Sequence, residues 1–298
     1  MLILDTLLIG LSSGAIYALM ALALVLVWRS TRVVNFAQAG QAILSTYIGF
    51  EVMNRTHNYW VSIPFAIIAG GAIAALIDAV IMRALARRSH KGSVSEIAPV
   101  IATLGMLGLI RSLTGIIWGN AYVQYTSPVS GKGYLIGHHT IPFSPQNTVI
   151  VLGALVVMAS FAIVFKFTNL GLALRAASFQ PEISRLAGIR VDRIRTIGWA
   201  FSGAAGAVAG VLVTPTSYLS PNSLDLLLVS GFVAAVIGGL DSLIGAVLGG
   251  LILGVGFAFI LQYVGTSVTF SAGFIILIVV LFIRPRGILG SQGGRREA

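Results

Sequence analysis

Apolar residues run along this chain in long blocks, separated by short polar or basic stretches. A block of about 20 apolar residues has the length of a helix that crosses a hydrocarbon layer about 30 Å thick. Such blocks fall at 4–28, 35–53, 61–84, 97–118, 148–165, 197–214, 224–240, 243–264 and 267–283. The second is polar at its start and the seventh is short. The pattern predicts an all-α polytopic membrane protein with about nine transmembrane helices, eight to ten being compatible with the block ends. It forms one transmembrane domain over residues 1–298. The first block is too long for a signal peptide and no basic residue precedes it, so it is expected to be a retained span.

Composition agrees with this pattern. Charged residues make up 9% of the chain and hydrophobic ones 57%, whereas soluble domains carry about 25% charged residues. A surface this poor in charge must be solvated partly by lipid. The formal net charge is +10, and its distribution is informative. The bases gather at Arg29 and Arg32, in 83–91, in 175–195, and at Arg284, Arg286, Arg295 and Arg296. Alternating nine spans puts all four clusters on one side, which the preference of Lys and Arg for inner loops makes cytoplasmic. The N-terminus and the loop 119–147 then face outside, and a tail, 284–298, faces inside. The charge is thus read as orientation and contact with anionic membrane lipid, not as nucleic-acid binding. The chain has no cysteine, and its four histidines show no ligand spacing. Neither disulfides nor a metal site are expected.

Between lipid-solvated helices, close packing of small residues replaces the hydrophobic drive. GxxxG spacing occurs at Gly10/Gly14, Gly206/Gly210, Gly245/Gly249 and Gly250/Gly254, and these positions are expected to pack helices. In "VIGGLDSLIGAVLGG", Asp241 and Ser242 interrupt an apolar stretch. The preferred reading is a tight turn with Asp241 capping the next helix. The alternative is a helix broken inside the membrane beside a cavity.

Polar residues at membrane depth are the candidates for function. Asn35, Gln38 and Gln41 recur every three residues, so a helix would bring them onto one face. Such an amide row either lines a solute path or bonds neighbouring helices. Asp78 and Arg111 are the conspicuous buried charges. Counting from the cytoplasmic ends of their spans places Asp78 roughly 9 Å deep and Arg111 roughly 21 Å deep. They are therefore not expected to pair: Arg111 should snorkel outward, and Asp78 should meet Arg83 or another cytoplasmic base.

The segment 175–195, "RAASFQPEISRLAGIRVDRIR", holds five arginines and two acids. Pro181 suits a first helical position, and Glu182 suits the positive end of a helix. Ile183, Leu186 and Ala187 give one apolar face. Gly188 can stop the helix in a left-handed conformation, with Ile189 completing a Schellman motif. The loop 170–196 thus contains a short amphipathic helix. Physics alone allows it to dock in a partner's groove or to rest on lipid headgroups.

"GLALRAASFQPEISRLAGIRVDRIR" followed by "SGAAGAVAGVL" resembles the cytoplasmic coupling segment of bacterial ABC-importer permeases. There an Arg-Ala-Ala element, here Arg175, Ala176 and Ala177, precedes a Gly-Ile pair, here Gly188 and Ile189. "GLSSGAIYALMALALVLVWRSTRVVNFAQAG", "AAVIGGLDSLIGAVLGGLILG" and "LFIRPRGILG" resemble the branched-chain amino acid permeases of the LivH type. The resemblance implies a permease subunit in the bacterial cytoplasmic (inner) membrane, operating by alternating access. It implies partners as well: a second, LivM-like permease subunit, two cytoplasmic ATPase subunits that bind ATP and Mg, and a periplasmic or extracellular solute-binding protein. No cofactor or catalytic residue is implied in this chain. Indeed the sequence has no G-x-x-x-x-G-K-[ST] loop, Lys132 lying in "SGKGY". Within the family the cargo could instead be urea, amides or aromatic acids. A stand-alone carrier or channel would show inverted repeats and buried charge pairs, and neither is visible in the sequence.

Overall fold

The computed structural model describes residues 2–88, 97–129, 131–136, 139–284 and 287–290. Parts of two expected features lie outside them: Lys91 in the second basic cluster, and Arg286, Arg295 and Arg296 in the tail. The described chain is helical, apart from a hairpin of two-residue strands, β1 (Leu135–Ile136) and β2 (His139–Thr140). The long helices are α1 (Leu2–Thr31), α2 (Gln38–Thr56), α3 (Tyr59–Ile77), α5 (Ala98–Trp118), α6 (Pro145–Phe167), α9 (Val191–Val213), α11 (Leu243–Tyr263) and α12 (Thr266–Ile283). A π-helical turn, Asp78–Met82, carries α3 on into α4 (Arg83–Arg88). Shorter elements are α7 (Asn169–Phe179), α8 (Pro181–Leu186) and α10 (Asp225–Gly238).

Among the described residues, six helices are long and apolar enough to cross a membrane. They contain α1, α3 with its extension, α5, α6, α9 and α11. Asp225–Gly238 and Ser271–Ile283 are apolar but shorter. Of the nine spans expected, α2 also falls short of this standard, since Gln38, Gln41, Glu51 and Arg55 dilute its apolar residues.

Helix α1 is the centre of the bundle. Residues 18 to 27 are each at most 3% exposed, as expected of a helix apolar on every side. It packs on α11, α9, α10 and α6. The glycine pairs explain how closely these helices approach. Gly10 and Gly14 meet Gly254, Leu251 and Val255, while Gly250 lies on the backbone of Ala18. Gly245 and Gly249 face Gly238 and Ala234 of α10, and Gly206 and Gly210 face Gln38 and Thr46 of α2. By contrast, the outward faces of α3, α5, α6 and α12 expose large apolar residues, among them Ile68, Ile116, Val156 and Phe282. Apolar area on that scale marks contact with lipid or partner subunits.

The two ends of the bundle differ. Arg29, Arg32, Arg83, Lys166, the bases of 175–195 and Arg284 stand at one end, here called the basic end. The turn between α10 and α11 lies there too. It is tight, as preferred from the sequence, but its chemistry differs from the expectation. Ser242, not Asp241, caps α11 by accepting from the Gly245 N–H at 2.9 Å. Asp241 instead pairs with Arg32 and accepts from Trp28 Nε1 at 3.3 Å, because the end of α1 brings those donors against the turn. Residues 287–290 fold back onto the same place, with the Ile288 and Leu289 N–H groups bonding the carbonyls of Ile237 and Gly238. At the opposite end, Val123 and Leu219 bridge two loops. Tyr125 is buried there against Ser62, 2.7 Å away, and burial pushes its phenol up to about 12.

Candidate functional site

The basic end is built from α7, α8 and the start of α9. Thr168 caps α7, its hydroxyl accepting from the Gly171 N–H at 3.2 Å. Leu174 and Ala177 bury one face of α7 against its neighbours, and α7 packs on α6, α9 and α1. Arg175 and Ala176 lie outside that buried face.

Pro181 opens α8, and Glu182 sits in its first turn. The end of α8 has Schellman geometry. The Ile189 N–H bonds Ser184 O at 2.9 Å, the Gly188 N–H bonds Arg185 O at 3.0 Å, and Gly188 has φ of +82°. A residue with a Cβ would be strained at Gly188. Ala187 is the cap residue, so regular helix ends at Leu186.

The orientation of α8 is its main feature. Its buried residue is the polar Ser184, while Ile183 is 57% exposed and Leu186 is 89% exposed. Ala187 is exposed alongside them. The apolar face inferred from the sequence therefore points away from the bundle. A cavity of about 700 Å³ lies behind α8, lined by Arg29, Arg32, Ala177, Pro181, Arg185 and Arg195 among others.

The start of α9 is tied to α3 by a buried carboxylate. Asp78 is fully buried, with Arg195 Nε 2.9 Å from Oδ1 and Arg83 Nε 3.7 Å from Oδ2. Thr196 Oγ1 donates to Oδ2 at 2.5 Å. The π turn begins at Asp78, and such turns recur at functional positions. A second pair corrects another expectation. Arg111 does not snorkel outward; it pairs with Asp225 at the start of α10. Asp78 thus meets Arg83 and a second base of the basic end, as expected from the sequence, whereas the part-buried Arg111–Asp225 pair was not foreseen. The two sets of charges lie near opposite ends of the bundle and do not form a single relay.

The amide row is packed between helices. Asn35, Gln38 and Gln41 are fully buried. Asn35 precedes α2, and its Nδ2 donates to Gln38 Oε1 at 3.0 Å and Gln41 Oε1 at 3.4 Å. Gln38 Nε2 donates to Ser202 O of α9 at 3.1 Å, and Ser202 Oγ donates to Gln38 Oε1 and to Ala23 O of α1. Gln38 and Ser202 together thus join α2, α9 and α1. Gln41 Nε2 and Asn35 Oδ1 have no hydrogen-bond partner among the described residues.

Sequence reasoning missed a cavity of about 440 Å³ toward the opposite end. Ser12, Ser13, Tyr17, Asn147, Ser217 and Ser230 supply its polar wall, and Ile16, Leu227 and Phe257 supply much of its apolar wall. Among the described residues, none that lines it is charged. These residues come from helices far apart in sequence, so no local motif could have announced the cavity.

Comparison with known proteins agrees with this architecture. The family model described as "Branched-chain amino acid transport system / permease component" matches residues 6–283. A probable branched-chain amino acid transport permease protein LivH of Methanocaldococcus jannaschii is 31% identical, covering 91% of this chain and 88% of its own. The high-affinity branched-chain amino acid permease protein LivH of Escherichia coli is 27% identical, covering 94% and 93%. The corresponding BraD protein of Pseudomonas aeruginosa is 29% identical and covers 94% of each chain. No solved structure matches the chain. On a match that spans nearly its whole length, the chain belongs to the family of branched-chain amino acid transport permease components, which are transport subunits and not enzymes.

Proposed function

We propose that this chain is the membrane-spanning permease of an ATP-binding-cassette importer for branched-chain amino acids. Separate cytoplasmic ATPases, which bind ATP and Mg, would drive it. One observation carries the reading: α8 is capped at its end, anchored by Ser184, and turns Ile183 and Leu186 outward. An apolar face presented from a loop among arginines suits a groove on a partner protein. Closure of the ATPases would push α8, and α7 and α9, which pack against it, would carry the push into the bundle.

Nine crossings complete the reading. Adding α2, α10 and α12 to the six long helices makes the chain alternate, with every basic cluster on the cytoplasmic side. The C-terminal tail then lies inside, and the uncharged 440 Å³ cavity opens outward, where a binding protein would deliver solute. Its hydroxyls and apolar wall suit a zwitterion with an aliphatic side chain. The middle of α1 is closed on all sides. A path between this chain and a second permease subunit is therefore favoured over one through its own core.

The test is Leu186→Glu, compared with the wild type for association with the ATPase during gentle purification. Leu186 is 89% exposed, so insertion and folding should be unchanged. A central apolar contact is worth about 2 kcal/mol, so binding should weaken about thirtyfold. Unchanged association would remove α8 from the interface.

A further inference from the structure

We propose that the basic end holds a specific site for one anionic phospholipid of the inner leaflet, between α1, α6 and the turn that opens α11. A cavity of about 420 Å³ lies there. Leu22, Phe161, Phe165 and Val247 form its apolar wall, and Arg29, Lys166 and Arg175 line the same cavity. From Met158 to Lys166, both lining residues of α6, the chain climbs about 12 Å. The slot is therefore deep enough for the upper part of an acyl chain, with the three bases at headgroup level.

The charge balance calls for an anion. Arg29 is attracted by Asp241 and repelled by both Arg175 and Arg32. Arg29 has no hydrogen-bond or ion-pair partner among the described residues, whereas Arg32, one turn on, pairs with Asp241. Asp241 is the one acid among the described lining residues, and Arg32 already engages it. A phosphodiester would neutralise the remaining bases. Basic pockets between helices at the cytoplasmic side recognise lipid headgroups by this chemistry. A free phosphate would satisfy the bases but leave the apolar slot empty. The proposal requires only that the basic end face the cytoplasmic leaflet and does not depend on the ATPase contact.

The test is native mass spectrometry of the purified full-length chain, titrated with phosphatidylglycerol or with phosphatidylcholine of the same acyl chains. The wild type should retain one phosphatidylglycerol in preference to phosphatidylcholine. Each base removed should weaken retention about fivefold, so Lys166→Gln costs about fivefold and Arg29→Gln with Arg175→Gln about thirtyfold. Ala162→Trp, which fills the slot without touching a charge, should abolish retention. Equal retention of the two lipids by the wild type, an undiminished preference in the charge variants, or an Ala162→Trp protein that still binds would each overturn the proposal. Displacement of the lipid by inorganic phosphate alone would reduce the site to a simple anion site and overturn it as well.

Discussion

Asp78→Asn removes the charge that joins α3 to the start of α9. The wild-type carboxylate is fully buried, with Arg195 at 2.9 Å and Arg83 at 3.7 Å. Asparagine keeps the volume, so nearly all the loss is electrostatic. Removing one partner of a buried pair typically costs 3–5 kcal/mol, because an uncompensated charge stays behind. The side chains of Arg195 and Arg83 are 16% and 27% exposed, so water recovers part of that, and about 3 kcal/mol is expected. Arg195→Gln should cost a similar amount by leaving Asp78 with the longer Arg83 contact as its one cation, beside the Thr196 hydroxyl. The double variant removes both members of the closer pair, so neither change costs its full single-variant loss and the two should fall short of additivity by about 2 kcal/mol. Reversible unfolding in mixed micelles, followed by tryptophan fluorescence, measures all three. Trp199, fully buried one turn beyond Arg195 in α9, gives a local probe. Single losses below about 1 kcal/mol, or strict additivity, would refute the reasoning.

Further consequences follow from other contacts. Gly254→Val should destabilise the bundle by at least 1–3 kcal/mol, because the added carbons meet the Gly14 backbone of α1; the same unfolding assay checks it. Ser242→Ala should cost about 1 kcal/mol by removing the cap of α11, and Asp241→Ala should leave that cap intact. Tyr125 adds a pH dependence. Its folded-state value, about 12, lies above the ordinary 10.0, so its stabilisation is complete below pH 10 and fades between about pH 10 and 12. Two units correspond to roughly 2–3 kcal/mol, and Tyr125→Phe should flatten that part of an alkaline stability profile.

Most of the helical plan was legible because lipid imposes it. A helix must bond its own backbone in hydrocarbon and reach a fixed length, so apolar blocks announce themselves. The α8 cap was legible for a local reason: Pro181 and Gly188 each restrict their own backbone. The polar contacts were harder to foresee. Arg111 and Asp225 lie on different helices, and measuring each depth from its own span end says nothing about which helices are neighbours. Asp241 looked like a cap from its place before an apolar run, yet Ser242 took that role because the end of α1 offered Asp241 a cation. The side to which Ile183 and Leu186 turn was equally invisible, since periodicity defines a face but not what it faces.

In the proposed mechanism, α8 passes the movement of the ATPases into the bundle. The most direct test of that mechanism is the number of ATP molecules hydrolysed per solute taken up by the reconstituted importer carrying Gly188→Val. The site has open space for the side chain, but its φ of +82° does not suit one. The variant should therefore insert and bind its partners while α8 is misaligned. Continued ATP hydrolysis with uptake reduced at least tenfold is the predicted result. Uptake and stoichiometry equal to the wild type would contradict the mechanism.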